Sequence, residues 1–244
     1  MSRVAVILPA AGRSTRFGGE VKKPFVVLDG KPVWHCALDL FARRPDVGRV
    51  FLVLSPDALD EFRARYGVML GFTYENVELV AGGAERFESV ANALARVPAD
   101  TEIVAVHDAV RCLTPAAVID AVFAAAGLHG GAVAAVPVAD TLKRVASGVI
   151  TATVPRADLW QAQTPQAFRR SWLLDAYARR AEFAGAVTDD AQLMEAAGHP
   201  VYVVPGSPAN FKITTPADLR LAEALLRPAP PEAPKSRHPF DESE

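Results

Sequence analysis

Short apolar runs alternate with longer amphipathic stretches along this chain, a rhythm that few architectures accommodate. The runs are Val4–Leu8, Val50–Leu54, Val77–Val80, Ile103–Val106, Ala132–Val136 and Val201–Val204, each four or five residues long. That is the length and composition of strands buried on both faces. Between and after them lie Val33–Arg43, Asp57–Tyr66, Arg86–Arg96, Pro115–Ala126, Ser171–Phe183, Asp189–Ala197 and Pro216–Leu226, which carry a helical period. Thr114-Pro115 and Thr215-Pro216 each read as a threonine cap with proline at the first helical position. The alternation predicts an α/β fold with a mostly parallel sheet and helices on both faces. Ligands in such sheets bind at the carboxyl ends of the strands. The loops after Leu8, Val80 and Val106 are therefore expected on one rim.

One segment breaks the rhythm. Asp140–Val145 and Val149–Val154 are two β-rich runs joined through Ser147-Gly148, which predicts a hairpin arm over about 138–157. A lone hairpin is marginal in water. A second copy of the chain would supply the missing surface, so a homodimer built through this arm is expected.

The bulk properties narrow the partners. At 244 residues with 50% hydrophobic and 22% charged side chains, the chain can bury a substantial core. Net charge is −2, and the tail from Pro228 to Glu244 carries two cations against four acids, so the body is near neutral. Nothing here suggests nucleic acid. No apolar stretch approaches the ~20 residues of a membrane span. Cys36 and Cys112 form no metal or disulfide framework, and the N-terminus runs straight into a strand. A cytoplasmic protein is expected, with one domain over 1–227 and a disordered proline-rich tail over 228–244.

The first loop carries the strongest chemical signal. After Val4–Leu8 come Pro9, Ala10, Ala11 and Gly12, then Arg13, Arg16, Gly18, Gly19, Lys22 and Lys23. Small side chains let backbone N–H groups approach an anion, and the cations neutralise it. The spacing matches neither a P-loop nor a dinucleotide-binding loop. A polyphosphate is the natural ligand.

Two further loops fall at strand ends. His107-Asp108-Ala109-Val110-Arg111 follows Ile103–Val106. Asp108 could hold Mg²⁺ against nucleotide phosphates, or it could cap a turn and pair with Arg111. His107 reads as a structural hydrogen-bonding residue, because no second His or Cys sits at ligand spacing. Gly82-Gly83-Ala84-Glu85-Arg86-Phe87-Glu88-Ser89 lies between a strand and a helix, and its glycines would let backbone touch a base edge. Trp160 reads as a core residue. Asp189 and Asp190 read as a helix start.

Taken in order, LPAAGRSTRFG, GGAERFESV, HDAVR, DTLKR, LWQAQTPQAF, TDDA and NFKITTPADL resemble the 2-C-methyl-D-erythritol 4-phosphate cytidylyltransferase family from about Val4 to Leu226. The resemblance implies a Rossmann-like nucleotidyltransferase sheet and an enzyme of non-mevalonate isoprenoid synthesis that joins CTP to methylerythritol phosphate. It implies catalytic roles for Arg16, Lys23 and Lys212, with Lys22 as the alternative to Lys23. Pro9, Ala10, Ala11, Gly12, Gly83, Arg86 and Ser89 would bind the nucleotide. Asp108, Arg111, Thr141, Arg156 and Lys212 would face the polyol phosphate, with Asp108 also on Mg²⁺ and Arg156 reaching into a partner's site. Three positions depart from the family pattern: Lys22-Lys23-Pro24 replaces Pro-Lys-Gln, Ala84 replaces an aspartate, and Cys112 replaces a proline. The competing readings are a ribitol-5-phosphate cytidylyltransferase, a sugar-1-phosphate transferase using another nucleotide, and a non-catalytic nucleotide-binding protein on the same fold.

Overall fold

The computed structural model describes residues 4–11, 25–183 and 187–227. In chain order the elements are β1 (Val4–Pro9), β2 (Val27–Leu28), β3 (Lys31–Pro32), α1 (Val33–Ala42), β4 (Val47–Leu54), α2 (Pro56–Thr73), β5 (Val77–Ala81), α3 (Arg86–Leu94), β6 (Ile103–Val106) and α4 (Ala116–His129). There follow β7 (Gly131–Pro137), β8 (Leu142–Ala146), β9 (Val149–Val154), β10 (Trp160–Arg169), α5 (Arg170–Ala178), α6 (Asp190–Ala196), β11 (Tyr202–Pro205) and α7 (Pro216–Leu226).

Seven strands form the central sheet in the order β11-β7-β10-β6-β1-β4-β5. The neighbouring pairs are parallel except at β10, which runs antiparallel to both β6 and β7. Strand β1 shows why both faces are covered. Val4, Val6 and Leu8 pack into one cluster with residues of α1, α2 and α4, whereas Ala5 and Ile7 pack into another with residues of α3, α5 and α6. Alternate side chains thus enter opposite cores, which explains an unbroken apolar run. A third cluster joins Leu28, Val33, Ala37 and Cys112 to Ile213 and Ala222.

Several expectations need correction. Strand β10 was not among the expected runs: it holds Gln161, Gln163, Thr164, Pro165 and Gln166, and its register shifts between Ala162 and Gln166. Its place between two apolar strands comes from tertiary pairing, with the side chains of Gln163, Thr164 and Gln166 bonded inside the protein. Helix α2 continues to Thr73, well past Tyr66. Thr215 caps α7 as expected, accepting from Asp218 N at 3.2 Å in a capping box. Thr114 does not cap α4, which begins at Ala116 with no side-chain cap, because its hydroxyl is turned to Asn210. Trp160 is 45% exposed and is no core residue.

The hairpin forms as expected. Strands β8 and β9 pair with each other in a separate two-stranded sheet, closed by Ser147 (φ 48°) and Gly148 (φ 80°). Val145, Val149 and Ile150 on it are more than half exposed.

Candidate functional site

The carboxyl ends of β1, β4, β5 and β6 open on one rim. Ala10 N donates to Val53 O at 2.7 Å and Gly82 N to Leu54 O at 2.7 Å, so the loops after β1 and β5 both lean over β4. They come close enough to touch. A Cβ on Gly82 would lie 2.9 Å from Ala11 Cβ and 2.7 Å from Ser89 Oγ, so only glycine fits there. Gly83 N donates to Ser89 Oγ at 3.0 Å, and Ser89 in turn donates to Glu85 O at 3.1 Å. Glu85 and Glu88 close a capping box at the start of α3. Pro9, Ala10, Ala11, Gly83 and Ser89 therefore lie along one edge of the rim. Gly12, Arg16, Lys22 and Lys23 lie outside the described residues.

Beside that edge, Asp108 follows β6 and sits among cations. Its Oδ2 is 2.8 Å from Lys212 Nζ and 3.3 Å from Arg111 Nε, and its Oδ1 is 3.7 Å from Arg86 Nε. Burial by itself would raise the Asp108 pKa. Lys212, Arg86 and Arg111 outweigh it and hold the carboxyl well below the usual carboxylate range. Arg86 is shared: its Nη2 lies 2.8 Å from Asp190 Oδ2. Asp190 is fully buried and also accepts from Tyr177 OH at 2.5 Å. Burial disfavours the charged guanidinium of Arg86, but Asp190 and Asp108 raise its pKa overall.

The strand β10 supplies the other wall. Thr164 Oγ1 accepts from Asp108 N at 3.0 Å and lies 3.1 Å from His107 Nδ1. His107 Nε2 is 2.9 Å from Arg111 O, a pure acceptor, so Nε2 carries the proton and Nδ1 accepts from Thr164. Burial brings the His107 pKa down to about 4, which keeps the ring neutral. His107 is thus the structural residue expected. Gln166 Oε1 accepts from the backbone N–H groups of Asp190 and Ala191, and its Nε2 donates to Asp189 Oδ2 at 2.8 Å. Asp189 caps α6, accepting from Gln192 N at 3.0 Å.

These residues enclose an open cavity of about 230 Å³ lined by Arg86, Asp108, Arg111, Lys212, Asp189 and the β10 residues Gln163, Thr164 and Gln166. Its charged lining is three cations against two carboxylates, which suits a phosphate. Among the described residues no three His, Cys, Asp or Glu side chains converge to hold a metal. Asp108 alone fits a magnesium ion that arrives with a polyphosphate, because Mg²⁺ takes one or two carboxylates and completes its shell with phosphate and water. It does not make a resident metal site. Thr141 and Arg156 are not brought to the cavity within one chain. Both are exposed near the hairpin, and Arg156 donates to Ala139 O at its foot.

Sequence reasoning singled out the segments QAQTPQAF, TDDA and NFKITT and read Asp189 and Asp190 as the helix start they are, yet it gave no role to Gln163, Gln166 or Asn210 and none at the site to Asp190. Their signal is burial of polar side chains, and only tertiary structure reveals it.

Comparisons with known proteins point to one family. The family model for IspD, 2-C-methyl-D-erythritol 4-phosphate cytidylyltransferase, matches residues 4–228. A relative of that name from Rhodopirellula baltica is 45% identical, over 91% of this chain and 94% of its own. The bifunctional enzyme IspD/IspF of Desulfotalea psychrophila is 40% identical over 99% of this chain, which spans 62% of that longer protein. The crystal structure of the Francisella tularensis 2-C-methyl-D-erythritol 4-phosphate cytidylyltransferase matches with a TM-score of 0.78 at 29% identity, covering 92% of this chain and all of that one.

Proposed function

The chain belongs to the 2-C-methyl-D-erythritol 4-phosphate cytidylyltransferase family, and from that premise we propose that it joins CTP to 2-C-methyl-D-erythritol 4-phosphate. The products are 4-(cytidine 5'-diphospho)-2-C-methyl-D-erythritol and pyrophosphate, a step of non-mevalonate isoprenoid synthesis. The observation that carries the reading is the cavity in which Lys212, Arg111 and Arg86 surround Asp108, beside the small-residue edge formed by Ala10, Ala11, Gly83 and Ser89.

A phosphate-monoester oxygen of the polyol attacks the α-phosphorus of CTP, and the bond to the β,γ-pyrophosphate breaks. The nucleophile is already ionised, so no strong base is needed. The obstacle is repulsion between two polyanions, and catalysis is positioning plus stabilisation of charge. Lys212 and Arg111 would hold the monoester and orient its oxygen. Ser89 and the backbone of Gly83 would hold the nucleoside. Arg16 and Lys23 would contact the triphosphate. Asp108 would hold magnesium entering with the nucleotide, where its charge offsets that of the phosphate oxygens.

The exposed apolar residues of the hairpin support a homodimer built through the arm. In that assembly Thr141 and Arg156 would approach the partner's cavity. Two free cysteines suit a cytoplasmic setting, and no described helix is long and apolar enough to cross a membrane.

Phosphorus-31 NMR of the protein with the polyol phosphate, Mg²⁺ and each of CTP, UTP and GTP tests the reaction. A diphosphate diester and pyrophosphate are expected with CTP. Equal turnover with UTP or GTP, or no diester at all, would overturn the reading.

A further inference from the structure

Asn210 is fully buried, and its polar atoms are all engaged. Its N donates to Ser207 O at 3.0 Å. Its Nδ2 donates to Gln163 Oε1 at 3.1 Å and to Thr164 O at 2.8 Å, which uses both amide hydrogens. Its Oδ1 accepts from the Thr114 hydroxyl at 2.7 Å, the nearer of two acceptors for that one hydrogen, Arg111 O lying 3.1 Å away, and its carbonyl accepts from Arg111 Nη1 at 2.5 Å. One side chain therefore ties the loop after β11 to β10 and to the segment after β6. Only a carboxamide fits. An aspartate would set an oxygen against Gln163 Oε1 and Thr164 O, both acceptors, and a buried unpaired polar group is costly.

The position matters because of what flanks it. Lys212 lies two residues on, and the next residue, Ile213, donates its N–H to Val110 O at 2.9 Å. Lys212 is thus bracketed by two anchors, both fastened to the segment that carries Asp108 and Arg111. Thr114 completes the arrangement by giving up the helix cap that its place before Pro115 predicts. No hydrogen bond links Asn210 or Thr114 to Ala10, Ala11, Gly83 or Ser89.

We propose that Asn210, held by the Thr114 hydroxyl, is a positioning residue that sets Lys212 and Arg111 at the spacing needed to recognise the phosphate monoester. The inference rests on reading the cavity as the polyol-phosphate site. It separates the two halves of the site: loosening Asn210 disturbs the acceptor phosphate and leaves the nucleotide alone.

Asn210→Ala would leave a buried hole and would test folding rather than position. Thr114→Val keeps the shape and removes the donor, and Thr114→Ser restores it. With the full-length protein, Thr114→Val is expected to lower kcat/KM for 2-C-methyl-D-erythritol 4-phosphate by about tenfold to a hundredfold. Calorimetric affinity for CTP should stay within about twofold, and Thr114→Ser should recover most of the loss. Wild-type kinetics in Thr114→Val, a parallel loss of CTP affinity, or no recovery in Thr114→Ser would overturn the proposal. A wild type that releases no pyrophosphate would sink the assigned reaction instead. The positioning claim would then be decided by hydrogen exchange at the Ile213 amide: faster exchange in Thr114→Val sustains it, and an unchanged rate overturns it.

Discussion

Lys212 Nζ sits 2.8 Å from Asp108 Oδ2, although 104 residues separate them. The pair joins the segment after β6 to the approach to α7 and puts a half-exposed ammonium at the mouth of the cavity. Such an ion pair can be exchanged: an incoming phosphate dianion competes with the carboxylate for the lysine. Lys212→Ala should therefore cost on the order of 3–4 kcal/mol of barrier, or ~10²–10³ in turnover. Its melting temperature should fall modestly, because the buried Asp108 carboxylate loses its nearest counter-charge while Arg86 and Arg111 still face it. Steady-state pyrophosphate release and a thermal melt on the same sample check both halves.

Gly82→Ala should act on the nucleotide side. The added methyl would press on Ser89 Oγ and on Ala11 Cβ, displacing the two segments that form the nucleoside edge. CTP affinity measured by calorimetry is expected to fall at least about tenfold. An alanine variant that binds CTP normally would show that the small-residue edge is not the nucleoside site.

The hairpin arm is predicted to hold two copies together. Ile150 and Val145 stand opposite each other in the β8–β9 register and are more than half exposed in a single chain. Ile150→Glu should convert the dimer to a monomer in sedimentation velocity without unfolding it. A wild type that already sediments as a monomer would refute the arm's role.

Alkaline stability should expose a third network. Tyr74 OH donates to Asp39 Oδ1 at 2.5 Å, and burial, reinforced by Asp39, pushes the phenol up to about 12. An unfolded tyrosine ionises near 10. The folded state therefore keeps a proton that the unfolded state loses, and this contribution is present below pH ~10 and fades as pH rises towards 12. Tyr74→Phe removes it. The stability gap between wild type and Tyr74→Phe in urea melts should be widest near pH 8 and narrow by pH 11. A gap that widens with pH would reverse the sign of the argument.

Much of this was legible in residue order, and the rest was hidden for identifiable reasons. The runs Val4–Leu8, Val50–Leu54 and Ile103–Val106 announce strands because both faces are buried and every position can be apolar. Strand β10 hides because its buried side chains include Gln163, Thr164 and Gln166, each bonded to a partner 23 to 57 residues away in sequence. Helix α2 reads as shorter than it is because Gly67 and Gly71 weaken the helical signal that tertiary packing restores. Asp108, Arg111 and Lys212 were found through their motifs, and the structure brings them together. The framework behind them was not, since nothing local distinguishes Asn210 from a turn asparagine or Thr114 from a helix cap.

The most direct test of the account compares acceptors at fixed CTP and Mg²⁺: kcat/KM for 2-C-methyl-D-erythritol 4-phosphate against that for ribitol 5-phosphate, followed by pyrophosphate release. The account predicts that the branched five-carbon acceptor, a four-carbon chain bearing a methyl group, is favoured by at least about a hundredfold, a discrimination on the order of 3 kcal/mol. A preference for ribitol 5-phosphate would contradict it.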